Sequence, residues 1–337
     1  MTDIVLSNLL SPAVLFFALG LVAALFKSDL RFPSGLSEAL SIYLLLAIGL
    51  KGGLALSHYT LDQLSAVLLA TLSLGIIIPI ATYLICAAFK VDRHNAIGLA
   101  ATYGSVSIVT YGAALNYLHH EHVYYEPYMN AMVVLLESPA ILVSLFMLRW
   151  MEHKQNNTAT YQTPMGTTAS SMRPFWPDPA VIKESLLGKS VLLMMGGLAI
   201  GWLGGERFYP VIEPLFIHLY DSVLILFMLN MGLLAGERLP ELRAFGYKLP
   251  LFGIIFPLLY GPVGVVLGKW AGLSTGGMML MGVLAASASY IAAPAALRSS
   301  VPEANPSVYL GLALGITFPL NLIIGLPFYY YLAVMLS

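Results

Sequence analysis

The chain has 337 residues, 58% of them hydrophobic and 10% charged, against roughly 25% charged in an ordinary soluble domain, which excludes a water-solvated globule and implies a membrane protein. A formal net charge of -1 supplies no basic field to hold nucleic acid. The single cysteine, Cys86, falls inside an apolar run, which removes disulfide and thiol chemistry from consideration.

The apolar runs are continuous and about 20 residues long, the length of a transmembrane helix, without the in-out alternation of an outer-membrane barrel strand. Met-Thr-Asp precedes the first run with no Lys or Arg, so the positive region of a cleavable signal peptide is missing and the first helix is expected to stay. Apolar length and polar, Gly or Pro-bearing gaps predict helices near 9–26, 36–56, 64–89, 96–118 and 128–150. A second set is expected near 186–204, 219–234, 249–270, 278–297 and 308–332, the last bent by Pro319 and Pro327. The expected fold is an all-α polytopic membrane protein of ten transmembrane helices.

With both termini outside, the inner loops and flanks hold thirteen of the sixteen basic residues, as the positive-inside rule requires. Only Arg207 and Lys269 fall outside, and Lys51 falls within a helix. The four Trp residues lie at or just beyond helix ends, as an aromatic belt would place them. Residues 151–185 are polar and rich in Thr, Ser, Asn and Pro, and are expected to form a cytoplasmic linker.

The flanking stretches repeat. Leu9-Leu-Ser-Pro-Ala-Val-Leu15 aligns with Leu186-Leu-Gly-Lys-Ser-Val-Leu192, and Gly20 then meets Gly197. Gly49 and Gly53 match Gly232 and Gly236; Gly75 and Pro79 match Gly253 and Pro257. Ser105 and Ser107 match Ser287 and Ser289, and Pro139 matches Pro319. These collinear matches at nearly constant offset divide the chain into a first five-helix repeat, 1–150, the linker, and a second repeat, 186–337. Five crossings is an odd number, so the second copy is inverted in the bilayer, a transporter architecture.

In such folds the substrate lies near the midplane, where helices are interrupted. Thr102-Tyr-Gly-Ser-Val-Ser107 and Ser287-Ala-Ser-Tyr290, the latter ahead of Pro294, place Gly, Pro and small hydroxyl residues at mid-span of helices four and nine. Free N–H groups at the start of each outgoing half-helix would make, with the Ser hydroxyls, a donor-rich pocket for a small anion such as a bicarbonate-sized oxyanion. The candidate substrate-binding residues are Gly104, Ser105, Val106, Ser107, Thr110, Ser287, Ala288, Ser289 and Tyr290. The plain alternative is that small residues and Ser only allow close helix packing.

Glu137, inside the fifth helix before Ser138-Pro139, is a costly carboxylate that could hold a cation. Lys51 either pairs with Glu137 or snorkels to the outer interface. His119, His120 and His122 with Glu121 form a His-rich tract in an outer loop, which reads as a wet loop rather than a metal site because adjacent His residues do not enclose a tetrahedron. No activated nucleophile or metal set stands at membrane depth, so neither an enzyme nor a cofactor is expected. A membrane sensor that binds the anion without moving it would share the same pocket.

Pro302-x-Ala-Asn-Pro-Ser-x-Tyr309, Ala285-Ala-Ser-x-Ser289, Leu297-Arg298, Gly49-Leu-x-Gly-Gly53, Ser11-Pro12 and the acidic residue two positions before Pro139 together resemble the SbtA-type sodium-dependent bicarbonate transporters. The resemblance covers nearly the whole chain apart from the linker. It implies a core and a gate domain, a homotrimer, sodium-coupled bicarbonate import at the plasma membrane, and an anion held near Gly104 to Ser107 and Ser287 to Tyr290. It also implies a small cytoplasmic signalling protein as a possible regulator. The chain departs from the family pattern at Tyr290, where an Asp is expected, at Leu312-Ala313-Leu314 in place of Ser-Ser-Thr, at Lys51 in place of Thr, and at Glu137 in place of Asp. Sodium prefers oxygen ligands of the kind lost. Another small carboxylate or oxyanion with weak sodium coupling, balanced by a Glu137–Lys51 pair, is therefore the alternative.

Overall fold

The computed structural model describes residues 8–33, 35–159, 187–242, 246 and 248–337. Among these residues every regular element is helical. The helices are α1 (Pro12–Leu25), α2 (Leu36–Leu56), α3 (Leu61–Ala88), α4 (Arg93–Gly104), α5 (Ile108–His120), α6 (Met129–Ala159) and α7 (Lys189–Gly204), then α8 (Tyr220–Leu242), α9 (Lys248–Trp270), α10 (Thr275–Ala286), α11 (Ala292–Ser300), α12 (Pro306–Leu312) and α13 (Leu326–Leu336). Seven helical stretches are long and apolar enough to cross a bilayer, with α4 and α5 counting as one. Of the ten expected crossings, those built on α1, α7 and α10 are shorter, at 14, 16 and 12 residues.

Local chemistry sets the boundaries. Ser11 caps α1, accepting from the Val14 N–H ahead of Pro12 at the first position, and Asp92 accepts from the His94 and Asn95 N–H groups at the start of α4. Each supplies an acceptor to donors that the helix cannot satisfy itself. Helix α6 was expected to end at Trp150 but continues to Ala159; the sequence beyond Trp150 carries the helix formers Met151, Glu152, Lys154 and Gln155. The rest of the expected linker lies outside the described residues, as do Met1 to Ser7.

The last crossing is not simply bent at its prolines. Two π-helical turns, Ala313–Thr317 and Asn321–Gly325, flank the short helix that holds Pro319. A proline removes one N–H from the ladder and frees carbonyls upstream. The Asn8 side chain donates to the carbonyls of Leu322 and Ile323 at 2.8 and 3.3 Å.

Two helix pairs pack backbone to backbone. At Gly49 and Gly53 of α2 an added Cβ would lie 2.4 and 2.1 Å from the carbonyl oxygens of Met194 and Leu198 in α7. At Gly20 of α1 and Gly232 of α8 it would lie 2.1 and 2.0 Å from the oxygens of Leu229 and Phe17. Small residues of this kind are what lets membrane helices approach without a hydrophobic force between them. The apolar middle of the α4–α5 stretch is buried within the molecule, and its break meets the one between α10 and α11.

Candidate functional site

The break between α4 and α5 spans Ser105 to Ser107, with extended backbone at Ser105 (φ -88°, ψ 175°) and Ser107 (φ -95°, ψ 109°). The break between α10 and α11 starts at Ser287, also extended (φ -82°, ψ 160°). Gly104, the last residue of α4, stands where nothing larger fits: an added Cβ would sit 2.3 Å from Pro79 Cγ on α3.

The two breaks are stitched to each other. The Ser107 N–H donates to Ser287 Oγ at 3.0 Å, and the Ser289 N–H donates to the Thr102 carbonyl at 2.8 Å. Ser107 Oγ in turn accepts from the Thr110 N–H and hydroxyl at 3.1 and 2.9 Å, while Ser289 Oγ accepts from the Ala293 N–H at 3.2 Å. The sequence reading expected the outgoing half-helices to present free N–H groups. The serine hydroxyls take one N–H of each outgoing half-helix, those of Thr110 and Ala293.

Several side-chain oxygens at the crossing are unpaired. Glu137 Oε2, the Tyr290 hydroxyl, Thr102 Oγ1 and Ser105 Oγ are buried without a hydrogen-bond partner. The Tyr290 hydroxyl stands near the Ser107 side chain without reaching hydrogen-bond geometry. Each such atom costs about 1–3 kcal/mol when nothing meets it, and their concentration at one crossing is a reason to look for a ligand there. Val106, Ser107, Glu137, Ser289 and Tyr290 line one cavity of about 10 Å³, together with the apolar Leu45, Ile108 and Ile291. Ser105, Thr110, Ser287 and Ala288 stand around this cavity through the backbone breaks and capping bonds rather than in its wall.

Lys51 is elsewhere. Its Nζ lies over the Tyr220 ring, 4.1 Å from the centroid, and its charge faces Asp221. Among the described residues no ion pair joins Lys51 to Glu137, so the expected charge pair is not the arrangement seen. The sequence reading did not single out Tyr220 or Asp221, which stand at the start of α8. Asp221 also meets His119 Nδ1 at 3.5 Å, and His119 Nε2 meets the Tyr125 hydroxyl at 3.1 Å. The His-rich tract is thus partly used in joining α5 to α8, and among the described residues no three His, Cys, Asp or Glu groups gather as a metal set.

Two further polar residues brace the crossing and were not anticipated. Asn321 donates to the Ala286 carbonyl at 2.8 Å, the last residue of α10, and Tyr103 on α4 meets Thr317 Oγ1 at 2.6 Å. An Asn and a Thr inside an apolar helix are the signal that would have marked them.

No curated protein matches the chain. The model of the Na+-dependent bicarbonate transporter superfamily matches residues 12–334, which takes in both helix breaks, the glycine crossings and Glu137. On that match across almost its entire length, the chain belongs to the Na+-dependent bicarbonate transporter superfamily.

Proposed function

We propose that this transporter-family protein imports a small anion, bicarbonate first, and that sodium enters with it. The observation that carries the reading is the cavity where the two helix breaks meet, lined by Ser107, Ser289 and Tyr290 together with Glu137, one of whose oxygens has no partner. Bicarbonate is planar, with oxygen acceptors and one O–H donor, and it matches hydroxyl donors together with a carboxylate acceptor. An anion does not settle beside an ionised carboxylate unless a cation is present. Lys51 is turned toward Tyr220 and Asp221, so it does not supply that cation. Sodium coordinated by Glu137 and neighbouring hydroxyl oxygens would meet the need, and anion binding would then depend on it.

The architecture we assign is ten crossings in two inverted repeats, residues 1–150 and 186–337, with helices four and nine interrupted. Its support is that equivalent glycines make equivalent contacts. Gly49 and Gly232 occupy matching places in the repeat and each abuts a partner-helix carbonyl, as do Gly20 and Gly197. Gly75 faces Leu136 and Pro139 just as Gly253 faces Ile316 and Thr317. The same reading makes the chain a multi-pass plasma-membrane protein with both termini outside, the linker in the cytoplasm, a homotrimeric assembly and a site for a cytoplasmic signalling regulator.

A second reading, another small carboxylate or oxyanion with weak or no sodium coupling, is favoured by Tyr290 and by Leu312, Ala313 and Leu314, which remove oxygen ligands. Radiotracer uptake into proteoliposomes separates the readings. Bicarbonate uptake that rises saturably with sodium is the expected result. Uptake of a different carboxylate without sodium would establish the second, and binding without uptake of any small anion would make the protein a sensor.

A further inference from the structure

A second cavity lies next to the first. It measures about 280 Å³ and is lined by Ile141, Gly188, Lys189, Ser190 and Val191 together with Ile291, Ala292, Ala295 and Ala296. Among the described residues Ile291 is the one that lines both cavities. The two are also continuous along α6: Glu137 faces the first, and Ile141, one helical turn further and on the same face, lines the second. The space in the second exists because α11 presents alanines at 292, 295 and 296, where any longer side chain would fill it. At its far end Lys189 Nζ donates to Glu38 Oε1 at 2.6 Å, with both side chains about half exposed.

We infer that Ile291 is the gate between the anion cavity and a vestibule that opens at the Lys189–Glu38 end of the molecule. The identity of what passes rests on the transport reading given above; the gate itself rests on the two cavities. The first has room for a single water, so an oxyanion of several heavy atoms enters only if part of the wall yields. Five of the eight wall residues are held, and of the other three, Val106, Tyr290 and Ile291, it is Ile291 that also lines the second cavity. Ser107 and Ser289 are tied by their N–H and hydroxyl groups to Ser287, Thr110, Thr102 and Ala293, and Glu137, Leu45 and Ile108 lie within helices. Ile291 is the N-cap residue of α11 at φ -115°, ψ -66°, with no side-chain capping bond. It is apolar and half-buried, and turning its side chain breaks no hydrogen bond. As a β-branched residue it has few χ1 states, which gives a defined closed position rather than a loose one. Withdrawing it merges the cavities and gives the anion a route along the α11 alanines.

The test is thiol accessibility in the full-length reconstituted protein, using a small membrane-impermeant methanethiosulfonate added from the Lys189 side. The native Cys86 is buried and stays in place. A cysteine at Ala295 should react readily, and one at Ser289 far more slowly. Adding Ile291→Ala should raise the Ser289→Cys rate by about tenfold, the effect of a barrier lowered by about 1.4 kcal/mol, while leaving the Ala295→Cys rate unchanged. Ile291→Trp should suppress Ser289→Cys labelling. Where Ile291→Ala does not run as a single species in detergent, Ile291→Val should give a smaller increase of the same sign. An Ala295→Cys that fails to react, an unchanged Ser289→Cys rate, or loss of the folded species in both Ile291 variants would overturn the gate. Labelling needs no transport, so a parent protein that moves no small anion would sink the transport reading alone.

Discussion

Replacing Gly232 by alanine should separate α1 from α8. The added methyl would stand 2.0 Å from the Phe17 carbonyl oxygen and 2.7 Å from the Leu21 nitrogen, where ordinary contact needs about 3.4 Å. The obstructing atoms are backbone, so no side chain can turn aside and the helices must part by about 1.4 Å at the crossing. That displacement loosens the methylene contacts on both sides, and overpacking of this kind costs typically about 1–3 kcal/mol. Gly49→Ala at the matching place in the other pair meets the Met194 oxygen at 2.4 Å and should lose a comparable but smaller amount. Gly196→Ala, with nothing within 4 Å of the added carbon, should be neutral or gain up to about 1 kcal/mol from helix propensity. Thermal melting of purified protein in one detergent, followed by the surviving monodisperse fraction, ranks the three. A Gly232→Ala protein that melts with the parent would refute the close crossing, and a large loss in Gly232→Ala with none in Gly49→Ala would refute the equivalence of the two repeats.

Asp221→Asn should remove the charge that faces the Lys51 ammonium and destabilise the protein by up to about 1 kcal/mol, whereas Lys51→Met combined with Asp221→Asn should recover most of that loss in the same melting assay; additive losses would remove the coupling between them. Ser107→Leu and Ser289→Leu should each abolish radiotracer uptake in proteoliposomes while the oligomer stays intact, and undiminished uptake in both would move the site away from the helix breaks. Glu137→Gln should flatten the dependence of initial uptake on sodium concentration, and a curve identical to the parent's would take Glu137 out of coupling. Asn321→Leu leaves the Ala286 carbonyl without its donor and should lower the melting temperature by an amount corresponding to about 1–3 kcal/mol; an unchanged melt would show that bond to be dispensable.

The glycine crossings are legible in the sequence because a backbone-to-backbone contact admits only hydrogen, and that demand appears as Gly at helical spacing in both halves. The breaks are legible for a similar reason: Gly104 against Pro79, and serines beside each break, leave a polar mark in an apolar helix. The partner of Lys51 is not legible. Asp221 stands at the start of α8, an ordinary place for a carboxylate, and which helix the lysine meets is decided by the α2, α5 and α8 packing rather than by any spacing along the chain. The π turns of the last crossing are hidden too. Pro319 and Pro327 announce a departure from regular helix, but its form depends on Asn8 and Asn321, one far away in sequence and the other eight residues from Tyr329, whose hydroxyl meets its side chain at 2.9 Å.

The capped serines alter what the crossing can do with an anion. If the half-helix N–H groups were open, the site would carry standing partial positive charge and would hold an anion by itself. With the Ser107 and Ser289 N–H groups bonded across the crossing and their hydroxyls accepting within their own segments, the unpaired side-chain atoms in the wall are a carboxylate oxygen and a phenol, a set that favours a cation at least as much as an anion. A site of that composition gains anion affinity when a cation neutralises Glu137, and the anion in turn improves the site for the cation, since coupling between two ligands is reciprocal. Under the proposed coupling the two ligands would reinforce each other, since Lys51 stands at Asp221 and Tyr220 rather than at Glu137. A lysine turned toward Glu137 would fill the place that the proposed reading gives to sodium.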